Sequence, residues 1–383
     1  MTTTKNNEHK KLNVPNLRFP EFQGEWEKTK FGDIATGFDY GMNAAAKNYD
    51  GVNKYIRITD IDEASSTYKD KDIVSPDGVL ADNYLVNNRD ILLARTGAST
   101  GKSYLYKKSD GKLYYAGFLI RANVTTHDPY FVFSQLHTHR YWRWVSIMSA
   151  RSGQPGINSQ EYSSFPIYTT SIEEESKIAK LLSLLDERIA TQNKIIDKLQ
   201  SLIKGLRVSL MQIENGNIVH LGEIAQIYQP QTISSTELTE DGFLVYGANG
   251  IIGKYKQYNH KTEQICITCR GNTCGMVNYT KPMSWITGNA MVINTDEHQN
   301  KVCKRYLYHY LSAYNFNSII SGSGQPQIVR TPLEQLKVTL PTFLEQKQKA
   351  TFLDKIQGKI EICNKALNLY LQQKQYLLRQ MFI

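Results

Sequence analysis

A glycine-framed stretch with a lysine and hydroxyl side chains is the first place to look for nucleotide chemistry. Residues 97–103 read Gly-Ala-Ser-Thr-Gly-Lys-Ser, which is close to the loop that holds the phosphates of ATP. That loop needs four residues between its glycines, and only three stand here. A later stretch, residues 271–276, keeps both glycines but has Met276 where Lys102 stands. The pattern therefore predicts a tight turn rather than an ATP site.

Three cysteines and two histidines have spacings that resemble those of metal ligands. Cys266, Cys269 and Cys274 lie in a predicted strand and its turn, where successive side chains face opposite ways. No fourth ligand follows at a suitable distance, so we predict that these cysteines bind no zinc. His137 and His139 are separated by one residue and are interpreted as structural.

The sequence contains no convincing group of catalytic residues. It has no Pro-Pro dipeptide, and therefore lacks the Asn/Asp-Pro-Pro-aromatic motif of amino-methyltransferases. The 45 Lys and Arg exceed the 36 Asp and Glu, giving a net charge of +9, which is compatible with DNA binding without establishing it. The polar start, the five cysteines and the lack of a long apolar run lead us to expect a cytoplasmic protein with reduced thiols. We expect a binding protein.

Two stretches have the heptad spacing of long helices that bury one apolar stripe. Apolar residues recur in alternating steps of four and three from Ile178 to Leu210, and the pattern returns from Leu353 onwards, as a coiled-coil seam requires. Leu182 matches Leu353 at a distance of 171 positions, and the other seam positions follow the same offset. The central predicted seam positions are Leu182, Leu185, Ile189, Gln192, Ile196 and Leu199 in the first helix, and Leu353, Ile356, Ile360, Cys363, Leu367 and Tyr370 in the second. We expect the two helices to pair antiparallel, with Gln192 and Cys363 fixing the register.

The segments before the two helices also repeat. Residues 152–155, Ser-Gly-Gln-Pro, return as residues 323–326, and the glycines of 97–101 match those of 271–275. Short strand-like runs broken by Gly, Asn and Asp precede both stretches, which favours an α+β fold. The chain thus predicts a pseudo-twofold internal repeat of two similar α+β domains and two long antiparallel coiled-coil helices. We place the first domain at 14–171, the central helix at 172–213, the second domain at 218–342 and the C-terminal helix at 343–383.

These features together resemble a known family. The opening residues 15–22, Pro-Asn-Leu-Arg-Phe-Pro-Glu-Phe, with Trp26, the tandem halves, the Gly-Gln-Pro loops and the paired helices look like the specificity (S) subunit of type I restriction–modification systems. The resemblance spans nearly the whole chain, and the combination is specific although no single motif is.

The resemblance implies a non-catalytic subunit that reads DNA. Each α+β half would be a target recognition domain for one half of a bipartite, asymmetric double-stranded DNA target. The helices would act as a spacer and help to dock two methyltransferase (M) subunits, through which restriction (R) subunits join. The family implies no cofactor in this chain, since S-adenosylmethionine, ATP and magnesium belong to the partner subunits. It also implies a bacterial, nucleoid-associated location without a membrane.

Base reading needs polar side chains on loops that can enter a groove. The candidate DNA-binding residues of the first domain are Arg95, Thr96, Ser99, Lys102 and Gln154. Those of the second domain are Asn249, Arg270, Asn272, Thr273, Asn289 and Gln325. Each could instead be a solvated turn residue, and a Gly-Gln-Pro loop that is alike in both halves cannot explain the reading of different bases.

Two other interpretations remain open from the sequence. One is a coiled-coil protein-interaction scaffold without DNA readout, which the modest net charge allows. The other is a self-sufficient DNA methyltransferase or nuclease, which the missing motifs disfavour.

Overall fold

The chain divides into two compact units, each of which receives part of both long helices. The computed structural model describes residues 12–150, 155–213, 215–322 and 324–383. Unit 1 extends to Gln192 and also contains Ala366–Ile383, whereas unit 2 is Asn193–Lys365. In these described ranges, no helix combines the length and apolar character needed to cross a membrane.

Unit 1 is built on a four-stranded antiparallel sheet with short strand pairs beside it. Its strands are β1 (Glu27–Lys30), β2 (Ala35–Tyr40), β3 (Ala45–Asn48), β4 (Lys54–Ile56), β5 (Val74–Asp77), β6 (Asp90–Ala94), β7 (Ser103–Leu105), β8 (Leu113–Tyr115), β9 (Leu119–Val124) and β10 (Pro166–Thr169). Its helices are α1 (Phe31–Ile34), α2 (Pro129–Gln135), α3 (His139–Met148), α4 (Ser159–Ser163) and the first part of α5 (Ile172–Met211). The main sheet has the order β2-β9-β6-β7, and β1 pairs with β10. All five residues of β6 are buried, as expected for an inner strand that is covered on both faces.

Unit 2 repeats this plan with different peripheral strands. Its strands are β11 (Asn217–His220), β12 (Gln226–Tyr228), β13 (Phe243–Gly247), β14 (Gly250–Tyr255), β15 (Ile265–Thr268), β16 (Val277–Tyr279), β17 (Trp285–Ile286), β18 (Ala290–Asn294) and β19 (Lys337–Leu340). Its helices are α6 (Lys304–Ala313), α7 (Arg330–Glu334) and parts of α5 and α8 (Phe343–Gln380). The order β12-β18-β15-β16 matches that of the main sheet of unit 1, and β11 pairs with β19 as β1 pairs with β10. The predicted α+β fold with an internal repeat is confirmed.

In unit 1 the two long helices run antiparallel. Asp186 of α5 forms an ion pair of 2.6 Å with Lys374 of α8. Further along α5, the guanidinium of Arg188 lies 5.6 Å from the ring of Tyr370. The position on α8 moves backwards as that on α5 advances, which is the antiparallel sense.

In unit 2 the same two helices are joined through the second α+β domain. The buried ring of His309 on α6 accepts a hydrogen bond from Arg207 of α5 (3.1 Å) and contacts the carboxylate of Asp354 on α8 (2.8 Å). Burial lowers the pKa of His309, so the ring is neutral near pH 7. At the end of α5, the ammonium of Lys349 donates to the carbonyl of Leu210 at 2.7 Å. One neutral histidine thus links three helices.

The predicted seam positions all lie away from open solvent. Leu182, Leu185, Ile189, Ile196, Leu353 and Ile360 are buried, and Gln192, Leu199, Ile356, Cys363, Leu367 and Tyr370 are half-buried. In unit 1 the seam packs with Trp26 and with the last residues of the chain, including Phe382. In unit 2 it merges with the domain core around Tyr306 and Leu311. The seam residues of both helices are therefore also part of the hydrophobic cores of the two units.

Helix α5 begins with two buried carboxylates. Glu174 receives two bonds of 2.7 Å from the guanidinium of Arg18 and one of 2.6 Å from the hydroxyl of Thr170. Glu175 lies 2.9 Å from Nδ1 of His127, and this hydrogen bond raises the pKa of that histidine. Glu174 therefore attaches the N-terminal segment around Arg18, and Glu175 attaches the loop around His127. These contacts add to the favourable interaction of the two carboxylates with the helix dipole.

Candidate nucleic-acid interface

The first glycine-framed turn is held by main-chain hydrogen bonds. It follows β6, where Gly101 donates to the carbonyl of Ala94 at 3.0 Å, and Gly97 donates to the carbonyl of Pro155 at 3.0 Å. Both glycines have positive φ, +68° and +91°, a region that other residues enter only with strain. The bond from Gly97 joins the turn to the segment that begins at Pro155. Residues 151–154, which include the candidate Gln154, lie outside the described residues.

The second turn uses the same bonds. Gly275 donates to the carbonyl of Thr268 at 2.9 Å, and Gly271 donates to the carbonyl of Pro326 at 3.0 Å. The φ values of Gly271 and Gly275 are +83° and +90°. The sequence match between the two glycine pairs therefore corresponds to one backbone structure that occurs in both units.

The candidates of unit 2 gather around this second turn. The hydroxyl of Thr273 donates to the amide oxygen of Asn249 at 2.6 Å, and Arg270 forms a β-bridge with Gln327. The backbone of Cys269 donates to the carbonyl of Asn289 at 3.3 Å. Thr273 is half-buried, and the exposed members of this group are Asn249, Arg270, Asn272, Asn289 and Gln325.

Arg270 carries the positive charge of this cluster. Its side chain is exposed, and it makes no ion pair with any residue in the described ranges 12–150, 155–213, 215–322 and 324–383. A free guanidinium among amides and a hydroxyl has the donors and acceptors that base edges and phosphates require.

The candidates of unit 1 are more strongly engaged within the protein. The ammonium of Lys102 lies 2.5 Å from the carboxylate of Glu63, and this contact lowers the pKa of Glu63. The backbone of Lys102 donates to the carbonyl of Ser99 at 3.0 Å, and Thr96 forms a β-bridge with Gly156. The side chain of Glu63 is 76% exposed, so this ion pair is weak, and a phosphate would have to compete with it for the ammonium of Lys102.

Arg95 lies in an aromatic setting that the sequence did not predict. Its guanidinium carbon is 4.9 Å from the ring centre of Tyr40 and 5.7 Å from that of Phe118, and its Nε donates to the carbonyl of Gly117 at 3.0 Å. In the sequence, each of the two aromatic residues stands beside a glycine, as Tyr40-Gly41 and Gly117-Phe118. No other pattern in the sequence indicated that these rings would contact Arg95.

The cysteines and the histidine His137, whose spacings resembled those of metal ligands, are buried, half-buried or hydrogen-bonded within the protein. Cys266 and Cys269 are buried and Cys274 is half-buried, and burial raises the pKa of the Cys266 thiol to about 12. His137 contacts the carbonyl of Phe133 and the hydroxyl of Ser66, both at 3.0 Å. Within the part of the chain that the structure describes, no three metal-ligating side chains come together.

Comparisons with known proteins place the chain in a family. The family model of the type I restriction modification DNA specificity domain matches twice, at residues 23–201 and 214–371. The MjaVIII type I restriction enzyme specificity subunit of Methanocaldococcus jannaschii is 24% identical over 91% of this chain and 89% of its own length. The EcoprrI specificity subunit of Escherichia coli is 32% identical, over 35% of this chain and 34% of that protein.

A solved structure shows the same fold. The S subunit of a type I restriction–modification system from M. genitalium superposes with a TM-score of 0.69 at 16% identity, covering 97% of this chain and 99% of that one. Because the family model covers most of the sequence in two blocks, the chain belongs to the type I restriction–modification specificity subunits and carries two DNA specificity domains in tandem.

Proposed function

We propose that each unit reads one half of a bipartite, asymmetric sequence in double-stranded DNA, and that the chain itself catalyses no reaction. The observation that carries this proposal is the shared glycine-framed turn. The backbone bonds of residues 97–101 and 271–275 are alike, whereas the side chains between the glycines are Ala-Ser-Thr in one and Asn-Thr-Cys in the other. One frame with two sets of side chains suits two different half-sites.

The chemistry around the turns supports DNA as the ligand. Exposed asparagine, glutamine and arginine surround the second turn, and these residue types make the commonest base contacts in the major groove. The net charge of +9 is modest, so tight binding is expected only in a complex whose other subunits also contact phosphates.

The helices support the proposed assembly with two methyltransferase subunits, through which restriction subunits would join. Beyond the buried seams, α5 and α8 expose large apolar side chains, among them Leu184 (48%), Leu202 (50%), Ile362 (67%) and Leu369 (64%). In unit 1 the two helices form a groove of about 690 Å³ whose lining includes Leu181, Leu184 and Tyr370. Apolar surface of this kind on a helix needs a partner. S-adenosylmethionine, ATP and magnesium would be bound by those partners, and the complex would act at the bacterial nucleoid in the cytoplasm.

The helices would also set the gap between the two half-sites. Helix α5 has 40 residues and is therefore ~60 Å long. Half-sites that are read from one side of a duplex are separated by one helical turn of DNA, about 34–36 Å, or by a multiple of it. A helix of this length can span one such turn. Inserting one heptad after Ile196 and one after Leu367 is expected to lengthen the gap while leaving both half-sequences unchanged. An unchanged gap in a complex that still assembles would remove the helices from this role.

The test is genome-wide mapping of adenine methylation in cells that carry this chain and its methyltransferase partner. One strain has the natural chain, and a second has residues 218–342 replaced by another second domain. The matched control replaces residues 14–171 instead. We expect each exchange to change one half of a split motif, and a different half in the two strains. A motif that is unchanged by both exchanges would favour a protein-interaction scaffold without DNA readout.

A further inference from the structure

Arg95 is held in one orientation by three groups from neighbouring strands. Tyr40 is the last residue of β2, Arg95 follows β6, and Phe118 precedes β9. These strands are adjacent in the order β2-β9-β6, and the backbone of Arg95 donates to the carbonyl of Phe118 at 3.1 Å. The two rings and the carbonyl of Gly117 therefore confine a side chain that would otherwise sample many rotamers.

The confinement leaves the outer donors of the guanidinium available. Nε is used by the carbonyl of Gly117, and Arg95 makes no ion pair with any residue that the structure describes. The two terminal nitrogens of an arginine match the O6 and N7 acceptors of guanine in the major groove, which is the commonest specific protein–DNA contact.

The flanking rings are open to an incoming ligand. Tyr40 is 43% exposed and Phe118 is 56% exposed, and the Tyr40 hydroxyl accepts a hydrogen bond from the backbone of Ser159 at 3.3 Å. Gly41 makes this approach of chains feasible, because a Cβ there would lie 2.3 Å from the carbonyl oxygen of Ala116. The rings are therefore fixed at the surface rather than covered by the core.

The position of unit 2 that matches Arg95 holds a different residue. The backbone bond of Arg95 to Phe118 is matched there by the bond of Cys269 to Asn289, and Cys269 is buried. The arginine of the second turn, Arg270, stands one position later and is exposed. An arginine at this position beside the turn thus distinguishes the first unit from the second, as expected for a residue that reads one half-site.

We propose that Arg95 reads a guanine in the half-site of unit 1, and that Tyr40 and Phe118 are positioning residues for this contact. The proposal rests on the proposed function, since it names the base that one unit reads. Confinement before binding lowers the entropy lost when the guanidinium engages a base, and so sharpens the preference for guanine.

The experiment uses the chain assembled with its methyltransferase subunits. After the methylated motif has been mapped, each G·C pair of the first half-site is replaced in turn by A·T in synthetic duplexes, and binding is measured at fixed salt. The natural complex is expected to lose roughly 5- to 150-fold in affinity at the guanine that Arg95 reads. Arg95→Ala should abolish the preference at that position alone, and Arg95→Lys, which keeps the charge, should largely do so.

The positioning residues are tested by matched pairs of variants. Phe118→Leu and Tyr40→Leu should lower the guanine preference by roughly 2- to 10-fold, whereas Phe118→Tyr and Tyr40→Phe, which keep the rings, should retain it. Asn289→Ala, at the matching position of unit 2, should leave the first half-site unchanged.

Two results would overturn the inference alone. One is a first half-site without guanine, and the other is an Arg95→Ala complex with the full guanine preference at every position. A motif that does not respond to exchange of residues 14–171 would instead contradict the proposed function, so the two failures are distinguishable.

Discussion

The ion pair between Arg18 and Glu174 offers a sharp test of how the N-terminal segment is attached. The side chains of Glu174 and Arg18 are only 1% and 11% exposed, and two bonds of 2.7 Å join them. In Arg18→Ala the carboxylate would stay buried with the hydroxyl of Thr170 as its remaining side-chain donor. Breaking one side of such a pair is expected to reduce the free energy of unfolding by about 3–5 kcal/mol.

The assay is urea unfolding of the purified chain, with Arg18→Ala compared with the natural sequence. At a slope of ~2 kcal/mol per molar urea, this loss corresponds to a midpoint lower by ~1.5–2.5 M. Lys177→Ala is the control, because it removes an ion pair to Glu21 in which both side chains are 46% exposed, and such pairs contribute about 1 kcal/mol or less. Adding Glu174→Gln to Arg18→Ala should recover part of the loss, since it removes the unpaired charge. Equal midpoints for Arg18→Ala and Lys177→Ala would refute the reasoning.

Three further outcomes are expected. Burial lowers the pKa of His309, so as the pH falls from 7 to 5 this histidine takes up a proton more readily in the unfolded chain, and the free energy of unfolding decreases. His309→Gln should reduce that decrease in urea titrations. An unchanged dependence of the unfolding free energy on pH would contradict the buried neutral ring. Because Glu175 raises the pKa of His127, His127→Gln should lower the free energy of unfolding more at pH 6 than at pH 8. A larger loss at pH 8 in the same titrations would contradict this expectation. Gly205 lies inside α5, and a methyl group added there would meet no atom within 4 Å beyond its own stretch of helix. Gly205→Ala should therefore raise the unfolding free energy by about 0.5–1 kcal/mol, and a lowered thermal midpoint would count against this.

The long helices could be predicted because their signal is local and repeated. Each step from Leu182 to Leu199 obeys the same spacing, and burial follows that spacing in the structure. The glycine-framed turn could also be predicted, because a positive φ at Gly97 or Gly271 depends on the residue type itself.

The side-chain environment of the candidate site could not be predicted in the same way. Lys102 pairs with Glu63, 39 residues earlier, and Arg95 lies between two rings from different strands. Such contacts depend on which strands become neighbours in a sheet, and the periodicity of a single strand carries no information on that. The DNA contacts of all these residues remain predictions.

The two main-chain-anchored turns have a consequence for how such a protein changes over generations. The backbones of Gly97 and Gly271 are fixed by carbonyls of distant proline residues, and Thr100 is buried and donates to the carbonyl of Gly97. The exposed side chains between the glycines therefore contribute little to the stability of either turn. Substitutions at Ala98 or Asn272, which are both exposed, are therefore nearly neutral for stability. Under the proposed function, selection can vary the side chains at these exposed positions, and with them the DNA sequence that is read, without first repairing a damaged fold.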